Sequence, residues 1–102
     1  MYAATVESDE RVKIGIRSTD LGLDFISSLE PICYEYKHTP GTVHHGFTAQ
    51  NVQKKLQGIQ NSIIYYDDKV DNYGMRYDEL IGPIVQAIKE LKYRVSLIDG
   101  IS

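Results

Sequence analysis

The sequence predicts an α+β fold: a small, mostly antiparallel sheet with short helices, followed by a long C-terminal helix that forms a trimeric coiled coil. Short runs in which apolar and polar residues alternate, as in strands, are separated by turn-forming residues and two short amphipathic stretches. From about residue 78 onward, apolar residues recur at helical spacing instead. With 102 residues, 42% of them hydrophobic and 25% charged, the chain has the composition of one globular domain.

The two short helices are predicted from their apolar faces and the residues that flank them. The first covers residues 21–29, with Asp20 as a suitable N-cap. The second covers residues 49–56 and closes at Gly58. Asn51, in the first turn of the second helix, is expected to cap it or to form a buried polar anchor between protomers.

Four strands are predicted from alternation and from β-branched and aromatic content, and they cover residues 32–37, 43–48, 63–66 and 73–77. A turn at Thr39-Pro40-Gly41 joins the first pair, and a polar turn over residues 67–72 joins the second. Cys33 is the single cysteine, so no disulfide can form within the chain. Because it lies in an apolar strand, we expect a buried small hydrophobe rather than a catalytic thiol.

The C-terminal helix carries a strict heptad pattern. Its core positions, called the seam below, are Ile81, Ile84, Ile88, Leu91, Val95 and Ile98. The spacings alternate between three and four residues, and an average period of about 3.5 is typical of a left-handed coiled coil. Because β-branched residues dominate both core positions, the pattern favours three strands over two. We therefore expect a homotrimer.

Two features leave an alternative open for this helix. Pro83 lacks a backbone donor and clashes with the preceding turn, so the helix is expected to kink there or to begin near it. The seam is also short, and a single amphipathic helix packed on its own domain is the alternative. In either case an ion pair between Glu90 and Arg94, four residues apart, is expected to support the helix.

Composition argues against several classes of function. The formal net charge is −3 and the chain has no basic cluster, so we expect no nucleic-acid partner. Its apolar stretches are too short to span a membrane, so no membrane partner is expected. No cofactor and no metal site are expected either. His44 and His45 are adjacent on a strand and point to opposite faces, and the acidic turn lacks the glycine that a calcium loop needs.

One pair of residues has a spacing that suggests catalysis. Ser8 and Lys13 are five residues apart. A lysine can take the proton of a serine hydroxyl if burial, or a cation such as Arg11, lowers its pKa. Such Ser–Lys pairs are a known variant of the serine-protease triad. The spacing equally fits a serine that caps a turn beside a solvated lysine, so the residues alone leave both interpretations open.

Four blocks of the chain resemble the intramolecular chaperone auto-processing domain, in the order found in that family. Residues 8–13 resemble its opening Ser-Asp-x-Arg-Leu-Lys motif, with Val12 in place of leucine. Residues 23–31 and 34–37 resemble its first helix and strand, and residues 46–52 resemble its Gly-Phe-x-Ala-Gln block. Residues 77–81 and 86–91 resemble its terminal coiled coil. This domain ends phage endosialidase tailspikes, phage neck-appendage and tail-fibre proteins, and myelin regulatory factor-like proteins.

The resemblance implies a function and a mechanism. The domain would bring three copies of a fibrous viral protein into register and then release itself by autoproteolysis. Ser8 would be the nucleophile, Lys13 its base, and the bond between Glu7 and Ser8 the one that is cut, in a single turnover within the same chain. The partners implied are two further copies of the chain and the upstream fibre portion of the same polypeptide. The setting implied is virion assembly in the host cytoplasm, after which the domain leaves the mature fibre.

The resemblance also implies boundaries. Residues 1–7 would be the end of an upstream fibre or an added start, residues 8–76 the chaperone and auto-processing core, and residues 77–102 the coiled-coil helix. Family members often carry a proline after the stretch that corresponds to residues 51–56, and its absence here puts the shape of the following loop in question. The alternative function is a trimerisation module at a fibre tip that performs no proteolysis.

Overall fold

The computed structural model describes the backbone of residues 6–101 and the side chains of residues 6–100. The expected fibre remnant, residues 1–7, thus lies largely outside the described residues. In chain order the elements are a 3₁₀ turn (Glu10–Val12), α1 (Leu23–Ser28), β1 (Ile32–Tyr36), β2 (Thr39–Gly46), α2 (Ala49–Lys55), β3 (Ile64–Asp67), β4 (Asn72–Met75), a second 3₁₀ turn (Tyr77–Leu80) and α3 (Ile81–Ile101). The prediction of an α+β fold with a long C-terminal helix is confirmed.

The strands are all antiparallel, as predicted, but they form two separate hairpins rather than one sheet in the described chain. In the first hairpin Ile32 pairs with Gly46 and Tyr34 with His44, and a bulge follows Tyr34. In the second, β3 pairs with β4 from Ile64 opposite Met75 onward. Each hairpin therefore consists of two edge strands.

Two predictions about the first hairpin are wrong. Thr39-Pro40-Gly41 is the start of β2, and the turn lies one step earlier, at residues 37–38. A proline is tolerated there because an edge strand does not need every backbone donor. Cys33 is exposed rather than buried, because no second layer covers the face of the hairpin on which it lies.

The core lies between α1, α2, β3 and the second 3₁₀ turn. Its buried residues are Leu21, Phe25, Leu29, Val52, Leu56, Ile63 and Leu80. The predicted N-cap of α1, Asp20, is wrong: α1 begins at Leu23 after Gly22, and no side chain caps it. A Cβ atom at Gly22 would meet the carboxylate of Glu90 on α3, so the end of that side chain would have to move.

α3 begins two residues before Pro83, which resolves the alternatives stated for that proline. In the first turn of a helix the missing N–H has no intrahelical partner to lose. Pro83 and Ala87 are buried where α3 packs against α1. The predicted ion pair between Glu90 and Arg94 is replaced by other partners: Glu90 accepts a hydrogen bond from Gln86 at 3.0 Å, and Arg94 lies 4.0 Å from Asp24.

None of the helices within residues 6–101 combines the length and the hydropathy that crossing a bilayer requires.

Candidate functional site

The segment that carries Ser8 and Lys13 folds into a tight turn through local bonds. Asp9 caps the 3₁₀ turn, because its carboxylate accepts a hydrogen bond from the backbone N–H of Arg11 at 2.9 Å. The backbone N–H of Val12 donates to the carbonyl of Asp9, and that of Lys13 to the carbonyl of Glu10, both at 3.1 Å. The chain is thereby folded back, so that Lys13 faces the start of the segment.

This turn brings the two predicted catalytic side chains together. Nζ of Lys13 donates a hydrogen bond to Oγ of Ser8 over 3.1 Å. That is within the distance at which a base can take a proton from a nucleophile. Ser8, Lys13 and Glu7, the residue before the expected cut, are all exposed. Ser8 and Lys13, called the dyad below, are thus within hydrogen-bond distance in one chain, but the burial that would favour a neutral lysine is absent.

Arg11 is paired with Asp9 rather than with the dyad. Its guanidinium donates from Nε to both carboxylate oxygens at 3.1 Å and from a terminal nitrogen to Oδ2 at 2.7 Å. These side-chain bonds from Arg11, followed by the one from its backbone, hold the pKa of the Asp9 carboxyl below its ordinary value. The same pairing raises the pKa of Arg11. The charge of Arg11, expected from the sequence to act on Lys13, is therefore compensated locally.

The sequence analysis missed the role of Asp9. The signal was present in the segment: an acid and a base two residues apart, between the serine and the lysine. Opposite charges at that spacing cannot meet on a regular helix, so the spacing alone does not indicate a pair. In a 3₁₀ turn after an extended residue, the arginine side chain folds back onto the carboxylate.

An open groove of about 1130 Å³ leads away from the dyad. Residues 13–21 form one wall, and the loop over residues 58–63 with Glu79 and Pro83 forms the other. The first wall bends at Gly15, whose φ of 65° favours glycine. Ile14 beside it is 98% exposed. Residues 14–17, which the sequence predicts to be a short extended piece, are interrupted by this bend and pair with no strand in the described chain.

The seam of α3 is open in the single chain. The exposed fraction of its six residues runs from 40% at Ile84 to 67% at Ile98. The face that packs on the domain, with Pro83, Ala87 and Glu90, lies roughly a quarter turn away around the helix. α3 does pack on its own domain, as the alternative states, but it does so through this other face, and the seam residues stay exposed.

Asn51 does not cap α2, and its role as an anchor between protomers stays a prediction. Its Oδ1 atom is buried and has no hydrogen-bond partner in the described part of the chain. The cap of α2 is supplied instead by Thr48, whose side chain accepts from the backbone N–H of Asn51 at 3.1 Å. A buried acceptor without a partner is costly, which is consistent with the predicted anchor between protomers.

The remaining polar residues of the first hairpin form an aromatic cluster. His44 stacks on Tyr34 with ring centroids 5.6 Å apart, and His38 stacks on Tyr36 at 5.1 Å.

Nowhere in residues 6–100 do three His, Cys, Asp or Glu side chains gather where they could hold a metal ion.

Comparison with known proteins gives one match. The profile of the family Peptidase_S74, described as chaperone of endosialidase, matches residues 8–59. The match begins at Ser8 and covers half of the chain, including the dyad, both short helices and the first hairpin. No curated protein and no solved structure matches the chain. The family match and the serine–lysine geometry at its first residue agree with the resemblance found in the sequence, and the chain belongs to the Peptidase_S74 family, the chaperones of endosialidase.

Proposed function

We propose that the chain is the C-terminal intramolecular chaperone of a fibrous viral protein, and that it releases itself by cutting the bond between Glu7 and Ser8. In this proposal three copies assemble through α3 during virion assembly in the host cytoplasm. The upstream fibre portion of the same polypeptide is held in register until the cut. The observation that carries the proteolytic part is the 3.1 Å hydrogen bond between Lys13 and Ser8, at the point where the family match begins.

The position of the serine determines the chemistry. Oγ of Ser8 would attack the carbonyl carbon of Glu7, the residue directly before it, while a neutral Lys13 accepts the hydroxyl proton. Collapse of the tetrahedral intermediate breaks the bond between that carbon and the Ser8 nitrogen, which receives the proton from Lys13. An ester then joins Glu7 to Oγ. Water hydrolyses the ester, which restores the hydroxyl and leaves Glu7 with a new carboxylate.

The surface of the single chain supports assembly. The chain exposes 8736 Å², whereas a compact monomer of this mass exposes about 5800 Å². The chain is therefore more open than a compact monomer of its mass, which leaves surface available to other copies. The open seam of α3 supplies part of this surface, and its β-branched residues favour three strands.

The rival function is a trimerisation module that performs no proteolysis. The exposure of Ser8 and Lys13 favours it, because a lysine base works when it is removed from water. The proteolytic proposal therefore requires that assembly covers the segment over residues 8–13. The two functions make different predictions about a cut, so a single substitution separates them.

The deciding experiment replaces Ser8 by alanine in the chain with a carrier protein joined before its first residue. The wild type should give two bands on a denaturing gel, and N-terminal sequencing should place the start of the smaller fragment at Ser8. Ser8→Ala should leave one uncut band, because it removes the nucleophile at little cost to stability from an exposed position. Ser18→Ala, on the same exposed segment, is the matched control and should be cut at the wild-type rate.

A second variant tests the base. Lys13→Arg should abolish the cut, because a guanidinium stays protonated at working pH. Cleavage by the wild type should accelerate as the pH rises, because only the neutral lysine accepts a proton. A fragment that begins elsewhere, or a Ser8→Ala variant cut as fast as the wild type, would refute this assignment. An uncut wild type that is trimeric would establish the rival function.

A further inference from the structure

The dyad lies in a part of the chain that the core does not hold. Every residue from 6 to 20 is exposed, and the 3₁₀ turn at Glu10–Val12 contributes no buried residue. Packing therefore does not orient Ser8 and Lys13 in the single chain. Local hydrogen bonds must do so, and they lie within residues 9–13.

The strongest of these bonds belong to one pair. The Asp9 carboxylate accepts from the backbone N–H of Arg11 and from two nitrogens of its guanidinium, at 2.7–3.1 Å. Exposed ion pairs contribute little to stability in general, but a bidentate arginine–carboxylate contact with a fixed geometry is the exception. We call this arrangement the Asp9–Arg11 clamp. It fixes Asp9, which follows the proposed nucleophile Ser8, to Arg11, which lies two residues before the proposed base Lys13.

We propose that the Asp9–Arg11 clamp positions the dyad, with Asp9 and Arg11 acting as positioning residues that do not touch the reacting atoms. The positioning of the two side chains is inferred from the geometry of residues 8–13. Its effect on the cleavage rate rests on the proposed self-cleavage. Without the carboxylate the 3₁₀ turn loses its cap, and the side chain of Lys13 is free to leave Ser8. A misplacement of about 1 Å at a reacting centre can cost roughly 100-fold in rate.

A direct test measures the contact between the two side chains by NMR, whether or not the chain is cut. In the full 102-residue chain, nuclear Overhauser contacts should join the ε protons of Lys13 to the β protons of Ser8. Asp9→Ala should remove them. Glu10→Gln is the matched control: it removes one negative charge from the same turn, but Glu10 pairs with Lys13 through its backbone carbonyl, so the contacts should stay. Contacts that persist in Asp9→Ala would overturn the clamp.

Cleavage rates test the consequence. Asp9→Ala should slow the cut by roughly 10- to 100-fold, and Asp9→Asn should slow it less, because the amide oxygen still caps the turn. The double variant Asp9→Ala, Arg11→Ala should be no slower than the slower single variant, because the pair acts as a unit. Additive losses, or a wild-type rate in Asp9→Ala, would overturn the proposal.

Two further readouts separate positioning from other roles. The trimer mass should be unchanged in the Asp9 variants, which excludes a failure to assemble. The rate should fall by the same factor at every pH, because the identity of the base is unchanged. A pH profile displaced along its axis would mean that Asp9 acts on the charge of Lys13 instead, and would overturn the positioning role. A wild type that is never cut would refute the proposed proteolysis. The NMR contacts would still test whether the Asp9–Arg11 clamp holds Lys13 beside Ser8.

Discussion

The phenol groups of Tyr34 and Tyr36 show how single residues respond to the hairpin geometry. Their hydroxyls lie 3.1 Å apart, on the same face of β1. The hydrogen bond to Tyr36, with smaller effects of desolvation and nearby phenols, raises the pKa of Tyr34 to about 12 from an ordinary 10.0. The neutral phenol is thus favoured in the folded chain. Its contribution to stability is present below pH 10 and is lost as the pH rises towards 12.

Replacing Tyr36 by phenylalanine should return the pKa of Tyr34 towards 10, because the hydrogen-bond partner is gone. Carbon-13 NMR of ζ-labelled tyrosine measures the titration of each phenol separately. Tyr93→Phe, on the exposed side of α3, is the control and should leave Tyr34 unchanged. An unchanged titration of Tyr34 in Tyr36→Phe would show that the hydroxyls do not meet in solution.

For single residues, the sequence predicted which side chains lie together better than it predicted whether they are buried. It paired Ser8 with Lys13 from their spacing and their motif, and the two atoms lie in contact. It could not predict that the pair is exposed, because exposure depends on which elements return to cover a segment, and none does here. The predicted burial of Cys33 is wrong for the same reason. The prediction assumed that another element covers this face of the strand, whereas Cys33 is exposed.

Among the elements, Gly22 lies directly beneath the carboxylate of Glu90 on α3. Gly22→Ala should destabilise the fold by no more than about 1 kcal/mol, because the new methyl only displaces the flexible end of Glu90 and breaks its hydrogen bond to Gln86. Gly82→Ala is the control: nothing lies within 4 Å of its Cβ position, and alanine in a helix should stabilise by about 0.5 kcal/mol. Denaturant titration measures both. A Gly22→Ala variant as stable as Gly82→Ala would contradict this packing.

The elements were predictable where local chemistry decides them. Both short helices, all four strands and the start of α3 near Pro83 follow from periodicity and from the proline. The position of the turn in the first hairpin was not predictable, because a proline followed by a glycine indicates a turn in most sequences. Here Gly41 is held in β2 instead, by a 2.6 Å hydrogen bond from its N–H to the Glu35 carboxylate. The division into two hairpins depends on which strands pair with each other. The periodicity of apolar residues within a strand carries no information about its partner.

For the whole molecule, the main prediction is a trimer held by the seam. Light scattering should give three times the chain mass of 11.6 kDa. Ile88→Asp should dissociate it, because three carboxylates would meet in one buried layer. Tyr93→Asp places the same charge on the outer side of the helix, where Tyr93 is 65% exposed, and should leave the trimer intact. A wild-type monomer at micromolar concentration would contradict the seam.

Thermal stability offers an independent test of the same assembly. If three chains fold together, dilution should lower Tm, because the folded species is favoured by mass action. Calorimetry over a hundredfold range of concentration measures this shift. Ile88→Asp should remove the dependence on concentration, whereas Tyr93→Asp should retain it. A Tm independent of concentration in the wild type would show that the chain folds alone.

The position of Pro83 has a consequence for the height at which three chains would meet. A helix cannot extend far upstream of a proline, so every copy of α3 must begin near Ile81. The seam holds only six residues, and a slip of one heptad would leave a third of them without partners. The short seam would therefore set the axial position of the three chains as well as join them, because the unslipped alignment keeps the most contacts. Three strands of a fibre attached upstream would then begin level with one another, and their three cleavage points would stand at the same height around the axis.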